Sequence, residues 1–379
     1  MQLTLVVPEL VWPEPDDHEA FDTLISPALN TLLARSHFQH RPPQSLEATL
    51  TDAFALPPSA PYAPFRLLGE QGIGDAANAP GDACWLCADP VHLRFHQERL
   101  ILADSSTFEI ALDEARAICD ELNRQFSDLG SFLVASSGRW YLRLANLPEL
   151  GETDVAPLSV VAGRSLDRQL PQARWLRRLL NEVQMVLHAH PINEFNKLRE
   201  NSGRLPINSL WLWGAGTLPQ RSHCDFDGVW SNHPLAVGLG RASGVLAHAL
   251  PADAATLLAG SVPDSQHLVL LEDLLGPVHY ENSETYRNAL QTLETRWFMP
   301  LRQALASGKV KRLRIKASTA YGELGWESRP VDQWKLWRRA QPLATLAQNL
   351  ANGSATSSHP SPRPSPARGE GVNHGNLSA

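Results

Sequence analysis

Three short stretches combine residue types that could bind a ligand or a metal. In SHCDFDGVWSNHP, His223, Asp225, Asp227 and His233 mix imidazole and carboxylate donors, a set that Mn²⁺ or Zn²⁺ accepts. Asp225 and Asp227 alternate, so an extended segment would turn both carboxylates to one side. The same Asp-x-Asp-Gly is also ordinary turn chemistry. In DPVHLRFH, Asp89, His92 and His96 are the candidates. On a strand, positions 92 and 96 share a face and 89 lies opposite, which weakens a three-ligand site built there alone. Asp89, preceding Pro90, is equally a turn residue.

A third stretch, INSLWLWGAG, runs from Asn208 through an apolar segment to Trp213, Gly214 and Gly216. A Gly-x-Gly after a strand lets backbone approach a ligand closely, phosphate included, or simply turns the chain. It directly precedes the His223–Asp227 stretch, so the two could line one cavity. Arg164 and Asp167 in GRSLD could form an ion pair or a cap. Asn181, Gln184 and His188 fall on one face of a helical pattern, facing either a cleft or solvent. Cys84 and Cys87 form a lone CxxC, but in an apolar run that reads as a strand rather than a helix start, so buried structural thiols are expected.

Elements to position these residues are legible from periodicity. Strands are expected at Gln2–Val7, Cys84–Leu93, Leu100–Ala103, Phe132–Ala135, Trp140–Leu144, Asn208–Trp213, Gln266–Leu271 and Val310–Ile315. Helices are expected at Ala20–Arg35, Leu46–Phe54, Phe108–Phe126, Leu170–His188, Leu235–Leu250, Ala252–Leu258, Ser283–Leu305 and Val331–Arg339. Alternating strands and helices, interrupted by two hairpins, predict an α/β fold: a mixed sheet with helices on both faces. Residues 1–350 are expected to form one α/β domain, or two closely packed lobes. Residues 351–379, rich in Ser, Pro and Gly and without aromatics, are expected to be a disordered tail.

Composition narrows the classes. Hydrophobic residues make up 43% of the 379, as in globular proteins. A net charge of −7 argues against a general nucleic-acid binder. The run KVKRLRIK is basic, but a strand with such residues along one edge more often discourages edge pairing. No stretch is long and apolar enough to span a membrane. The N-terminus lacks a basic region and cleavage site, so a cytoplasmic location is expected.

Segments ACWLCADPVHLRFHQERLIL, WYLRL, VVAGRSLDRQLPQARWLRRLLNEVQMVLHAHPIN and INSLWLWGAG, with HLVLLEDLL and LETRWFMPLRQAL in order, together resemble the bacterial RpfE-type regulatory family. The resemblance covers residues 60 to 345. Members of that family are often labelled as resembling bisphosphoglycerate-independent phosphoglycerate mutases. The resemblance therefore implies a degenerate fold of the alkaline-phosphatase superfamily, whose chemistry uses two metals held by Asp and His and a phosphoryl-accepting Ser. Two such metals, about 4 Å apart, stabilise attacking and leaving oxygens. Here the superfamily's metal-binding Asp at the end of the first strand is replaced by Val7-Pro8-Glu9-Leu10. The nearest match to its Asp-His set is Leu271-Glu272-Asp273 with His279, and no Ser stands out as a nucleophile. The leading expectation is a regulatory protein binding a small phosphorylated, anionic metabolite near Gly214–Asp227, with Asn208, Trp213, Gly214, Gly216, Arg164, Asp89 and His92 as ligand residues and His223, Asp225 and Asp227 as metal ligands. An active metal-dependent mutase or phosphatase, and a protein-interaction scaffold using exposed Trp, are the alternatives.

Overall fold

A computed structural model describes residues 1–70, 80–96, 98–146, 155–166, 169–189, 192–219, 224–260 and 262–357. The strands are β1 (Gln2–Val6), β2 (His37–Arg41), β3 (Trp85–His96), β4 (Arg99–Asp104), β5 (Gly130–Ser136), β6 (Arg139–Leu144), β7 (Ser209–Gly216), β8 (Gly228–Trp230), β9 (Leu246–His248), β10 (Gln266–Leu270), β11 (Arg312–Thr319) and β12 (Gly322–Ser328). They form two sheets. The first has seven strands in the order β2-β12-β11-β1-β10-β8-β9. Its five strands from β11 to β9 are parallel, and β12 and β2 extend it antiparallel. The second is antiparallel: β3 pairs with β6 through its first residues, with β4 through its last, and with β7 along its other side.

Helices cover both faces of the first sheet because its parallel strands are apolar on both sides. On β1 and just after it, Leu3, Leu5 and Val7 enter one core and Val6 enters the other. The first core is closed by α2 (Pro27–Arg35), α10 (Ala254–Gly260), α12 (Ser283–Leu293), α13 (Met299–Ala306) and α14 (Leu343–Ser357). The second is closed by α3 (Leu46–Ala53), α4 (Ala63–Gly69) and α9 (Pro234–Ala242). Helices α4 and α9 cross in backbone contact: a Cβ on Gly69 would lie 1.7 Å from the Pro234 carbonyl, and one on Gly238 1.7 Å from that of Phe65. The second sheet packs on α5 (Leu112–Gln125), α7 (Arg174–His188) and α8 (Ile192–Asn201) around its own core. Three short helices complete the set: α1 (His18–Phe21), α6 (Leu158–Val161) and α11 (Leu275–His279).

Several expected elements are redrawn. The helix expected over Ala20–Arg35 is two, because the chain turns at Thr23 (φ 64°) and restarts at Pro27. The start of α2 is held from afar: Glu294 accepts hydrogen bonds from Ala28 N (2.6 Å) and Leu29 N (3.0 Å). The helix expected over Leu235–Leu250 stops at Ala242, where Gly244 (φ 70°) reverses the chain into β9. Val331–Arg339 holds only one 3₁₀ turn, Pro330–Trp334. Helix α14 runs through Ser357, past the expected start of the tail, and residues 358–379 lie outside those described. Strand β11 is not an edge: it lies between β1 and β12.

Candidate functional site

Residues that follow the parallel strands β8 and β10 line a crevice with residues of the second sheet, and residues at the ends of β1 and β11 line its continuation. Chains leaving parallel strands diverge there, so this is where open α/β sheets form ligand crevices. The crevice has two adjoining compartments that share Leu46, Ser159 and Leu275. The larger, about 410 Å³, is lined from the strand ends by Asn232, His233 and Glu272, and from the second sheet by Asp89, Asp104, Arg139 and Trp213. The smaller, about 340 Å³, is lined by Glu9, Ser45, Arg164, Ser318 and Thr319.

A chain of hydrogen-bonded polar groups, all but Arg139 buried, lies at and behind the wall of the larger compartment. Arg66, on α4, donates to both carboxylate oxygens of Asp89 at 2.8 and 2.7 Å, and its Nε donates to the Tyr141 hydroxyl at 2.9 Å. Trp213 Nε1 donates to Asp89 at 2.8 Å. The Tyr141 hydroxyl donates in turn to Glu70 at 2.7 Å, and Arg139 donates two further bonds of 2.8 Å to the same carboxylate. Burial opposes the charge on Arg66, but Asp89 more than restores it and its pKa lies above the usual value. Burial drives the Tyr141 phenol well up, so it stays protonated.

On the opposite wall, Ser159 donates to Glu47 at 2.6 Å. His279 is buried, which lowers its pKa to about 4, so the ring is neutral. Its Nε2 has no partner. Asp104 accepts from the hydroxyls of Tyr280 and Ser106, both at 2.5 Å.

In the smaller compartment Glu9 follows β1 in a left-handed conformation (φ 54°), which costs a non-glycine residue about 1 kcal/mol or more. Arg164 Nη2 donates to its Oε1 at 3.1 Å, while Oε2 is buried without a partner. Burial raises the Glu9 pKa to about 7 despite Arg164. Ser45 caps α3, accepting from Ala48 N at 3.0 Å, so the first turn of an eight-residue helix opens on this compartment.

The expected ligand residues therefore separate. Asp89 and Trp213 meet through a hydrogen bond, and Arg164 lies in the adjoining compartment. His92 faces elsewhere, with Nδ1 against the Pro206 carbonyl at 2.9 Å. Asn208 clips the backbone of Leu93, accepting from its N at 2.7 Å and donating to its O at 2.8 Å. Gly214 (φ 69°) and Gly216 are required by protein packing: a Cβ would lie 2.9 Å from Tyr62 Cβ and 2.6 Å from Pro61 Cβ respectively. Asp225 and Asp227 are exposed and precede β8, at the sheet end opposite the crevice. Asp227 accepts from Gln266 N at 2.8 Å, joining β8 to β10. His223 and Asp167 lie outside the described residues, as does the side chain of His96. Cys84, Cys87 and Cys119 are buried free thiols. The basic residues of β11 are paired within the chain: Arg314 with Glu327 at 3.0 Å and Lys316 with Asp52 at 2.8 Å. Among the described residues, no helix is long and apolar enough to cross a membrane.

The two-metal set implied by the resemblance does not fit the described residues. At the end of β1, Glu9 holds a guanidinium, and no three His, Cys, Asp or Glu side chains among the described residues are grouped to hold a metal ion. The sequence reading missed Ser45, Glu47, Arg66, Arg139 and Ser159. Ser45 carried a signal, a Ser directly before an apolar-periodic run; the others carried none.

The fold and crevice define a mixed α/β protein with a polar cleft between its sheets. No family model matches the chain. It is 27% identical over 206 residues to the 2,3-bisphosphoglycerate-independent phosphoglycerate mutase of Methanosarcina mazei, covering 52% of this chain and 49% of that enzyme. It is 28% identical over 191 residues to a probable enzyme of the same name from Geobacter sulfurreducens, covering 50% and 46%. The chain thus spans about half the length of the curated relatives it matches, and over that part it is phosphoglycerate-mutase-like. A Pyrococcus horikoshii protein of known structure shares the fold, with a TM-score of 0.55 at 14% identity over 94% of this chain and 96% of that one. The cofactor-independent phosphoglycerate mutase from Thermoplasma acidophilum superposes with a TM-score of 0.41 at 18% identity, covering 87% and 90%.

Proposed function

We propose that this chain is an RpfE-like regulatory relative of the phosphoglycerate mutases, which binds a small phosphorylated metabolite in the cleft and does not turn it over. The observation that carries this reading is the Glu9–Arg164 pair in the smaller compartment. A guanidinium replaces a cation at the end of β1, and it has further N–H groups for phosphate oxygens. The first turn of α3 adds backbone N–H groups and the positive end of a helix dipole. Glu9, with its pKa raised to about 7, is protonated on the acid side of neutrality and then offers a donor rather than a negative charge.

This recognition uses no metal. Calorimetry with 3-phosphoglycerate should give saturable binding in EDTA that weakens as pH rises through about 7. A coupled mutase assay should show no conversion to 2-phosphoglycerate. Binding that requires Mn²⁺ or Zn²⁺, or measurable turnover, would overturn the reading. A second reading, phosphoryl transfer, is favoured by one observation: Ser45 places a hydroxyl at the helix start in the same compartment as Glu9. It requires labelled phosphate to transfer from substrate to the protein and to be lost in Ser45→Ala.

A further inference from the structure

The two compartments differ in hydrogen-bond character, and that difference bears on what lies beyond the phosphate. In the smaller one Arg164 is the cation among the described lining residues and stands beside a single carboxyl group, Glu9. In the larger one acceptors predominate. Glu47, Asp104 and Glu272 bring three carboxylates, and the two guanidiniums on its wall, Arg66 and Arg139, are balanced by Asp89 and Glu70. His279 adds a neutral imidazole. It is 6% exposed, lines the cavity, and leaves Nε2 without a partner. His233 Nδ1, on the same wall, is likewise buried and unpaired. A buried polar atom left without a partner costs about 1–3 kcal/mol, so two ring nitrogens in one cavity, each able to accept in one tautomer, mark a place for a polar ligand.

We infer that the ligand is a phosphomonoester carrying an ammonium group several bonds from the phosphate, of the amino-sugar phosphate class, with the phosphate beside Arg164 and the ammonium among Glu47, Glu272 and His279. This rests on the phosphate-binding reading above. Three arguments favour it over a three-carbon phosphoglycerate. The compartments, about 410 and 340 Å³, adjoin through Ser159 and together have the size of a cleft for a larger ligand. The carboxylate of a phosphoglycerate reaching the larger compartment would meet three carboxylates and no unbalanced cation among the described lining residues. An ammonium has three donors and no acceptor, matching a wall of carboxylates and bare imidazole nitrogens.

The test is calorimetric titration of the full chain in EDTA with glucosamine 6-phosphate, glucose 6-phosphate, 3-phosphoglycerate and inorganic phosphate, repeated with Glu272→Gln. The amino sugar phosphate should bind at least about tenfold more tightly than the other two esters. Glu272→Gln should shrink that preference while leaving the affinity for inorganic phosphate unchanged. If 3-phosphoglycerate binds as tightly as glucosamine 6-phosphate, or if the preference survives in Glu272→Gln, the ammonium assignment is wrong and the phosphate reading stands. If none of the four ligands binds, inorganic phosphate included, both fall.

Discussion

Two arginine–carboxylate pairs lie in the same cleft and are built to different ends. Arg66 and Asp89 share two parallel hydrogen bonds, and each has a second partner, Tyr141 and Trp213 respectively. The Arg66 guanidinium also lies over the rings of Tyr141, at 4.7 Å, and Trp213, at 5.2 Å. Its bonding capacity is spent inside the protein. Arg164 and Glu9 share one bond of 3.1 Å, with Arg164's side chain 40% exposed and Glu9 Oε2 unpartnered. The first pair ties α4 to the second sheet; the second keeps capacity for something else. Charge in a cavity wall does not by itself mark a binding residue, whereas unspent hydrogen bonding there does.

The largest expected effect tests the closed pair. Asp89→Ala leaves Arg66 buried and uncompensated, and should destabilise the protein by about 3–5 kcal/mol in urea denaturation. Replacing both partners with apolar residues (Arg66→Met with Asp89→Leu) should recover part of that loss, since no buried charge then remains. A cost below about 1 kcal/mol for Asp89→Ala would break the comparison.

Protonation sharpens the contrast. Burial raises the Glu9 pKa from 4.5 to about 7. Between those values the native state holds more protons than the unfolded chain, so Glu9's contribution to stability falls as pH rises, by about 3 kcal/mol in all. His279, lowered from 6.5 to about 4, acts in the opposite sense. In its window the unfolded chain holds more protons, so its contribution rises with pH. The windows overlap, and the two slopes offset each other from 4.5 to 6.5. Denaturation series on Glu9→Gln and His279→Gln should expose opposite slopes that the parent chain conceals. Parallel slopes in the two variants would refute both assignments. Above about pH 7, Glu9→Gln should be the more stable protein.

How much of this was legible in the sequence follows from what each residue answers to. Strand β1, helix α3 and both hairpins of the second sheet were visible because their apolar spacing is set by local burial. Strand β2, His37–Arg41, is exposed throughout and polar, and it is extended because β12 pairs with it. No local pattern encodes that. Asp89 was recognisable as a residue that could do chemistry, but its role is decided by Arg66 and Trp213, which the fold supplies from distant segments. Gly214 and Gly216 suggested close approach to a ligand, whereas the atoms nearest them in the fold belong to Tyr62 and Pro61, which no local pattern encodes. The Asp225–Asp227 spacing fitted a pair of carboxylates, yet topology puts it at the opposite end of the sheet from the crevice.

The smallest stability effect belongs to the open pair. Below about pH 7 Glu9 is already protonated, so removing the guanidinium in Arg164→Met strands no charge. Above it, an ion pair whose arginine side chain is 40% exposed is screened by solvent and contributes about 1 kcal/mol or less. Denaturation of Arg164→Met should therefore track the parent chain on the acid side and fall slightly below it on the alkaline side. Phosphate affinity should respond the other way in magnitude, dropping about tenfold or more, because the guanidinium is the compartment's main cation for the ligand. Stability and binding would then be separated in one variant, as an arginine held for a ligand requires. A loss of several kcal/mol with phosphate affinity unchanged would make Arg164 a second structural arginine and erase the difference between the two pairs.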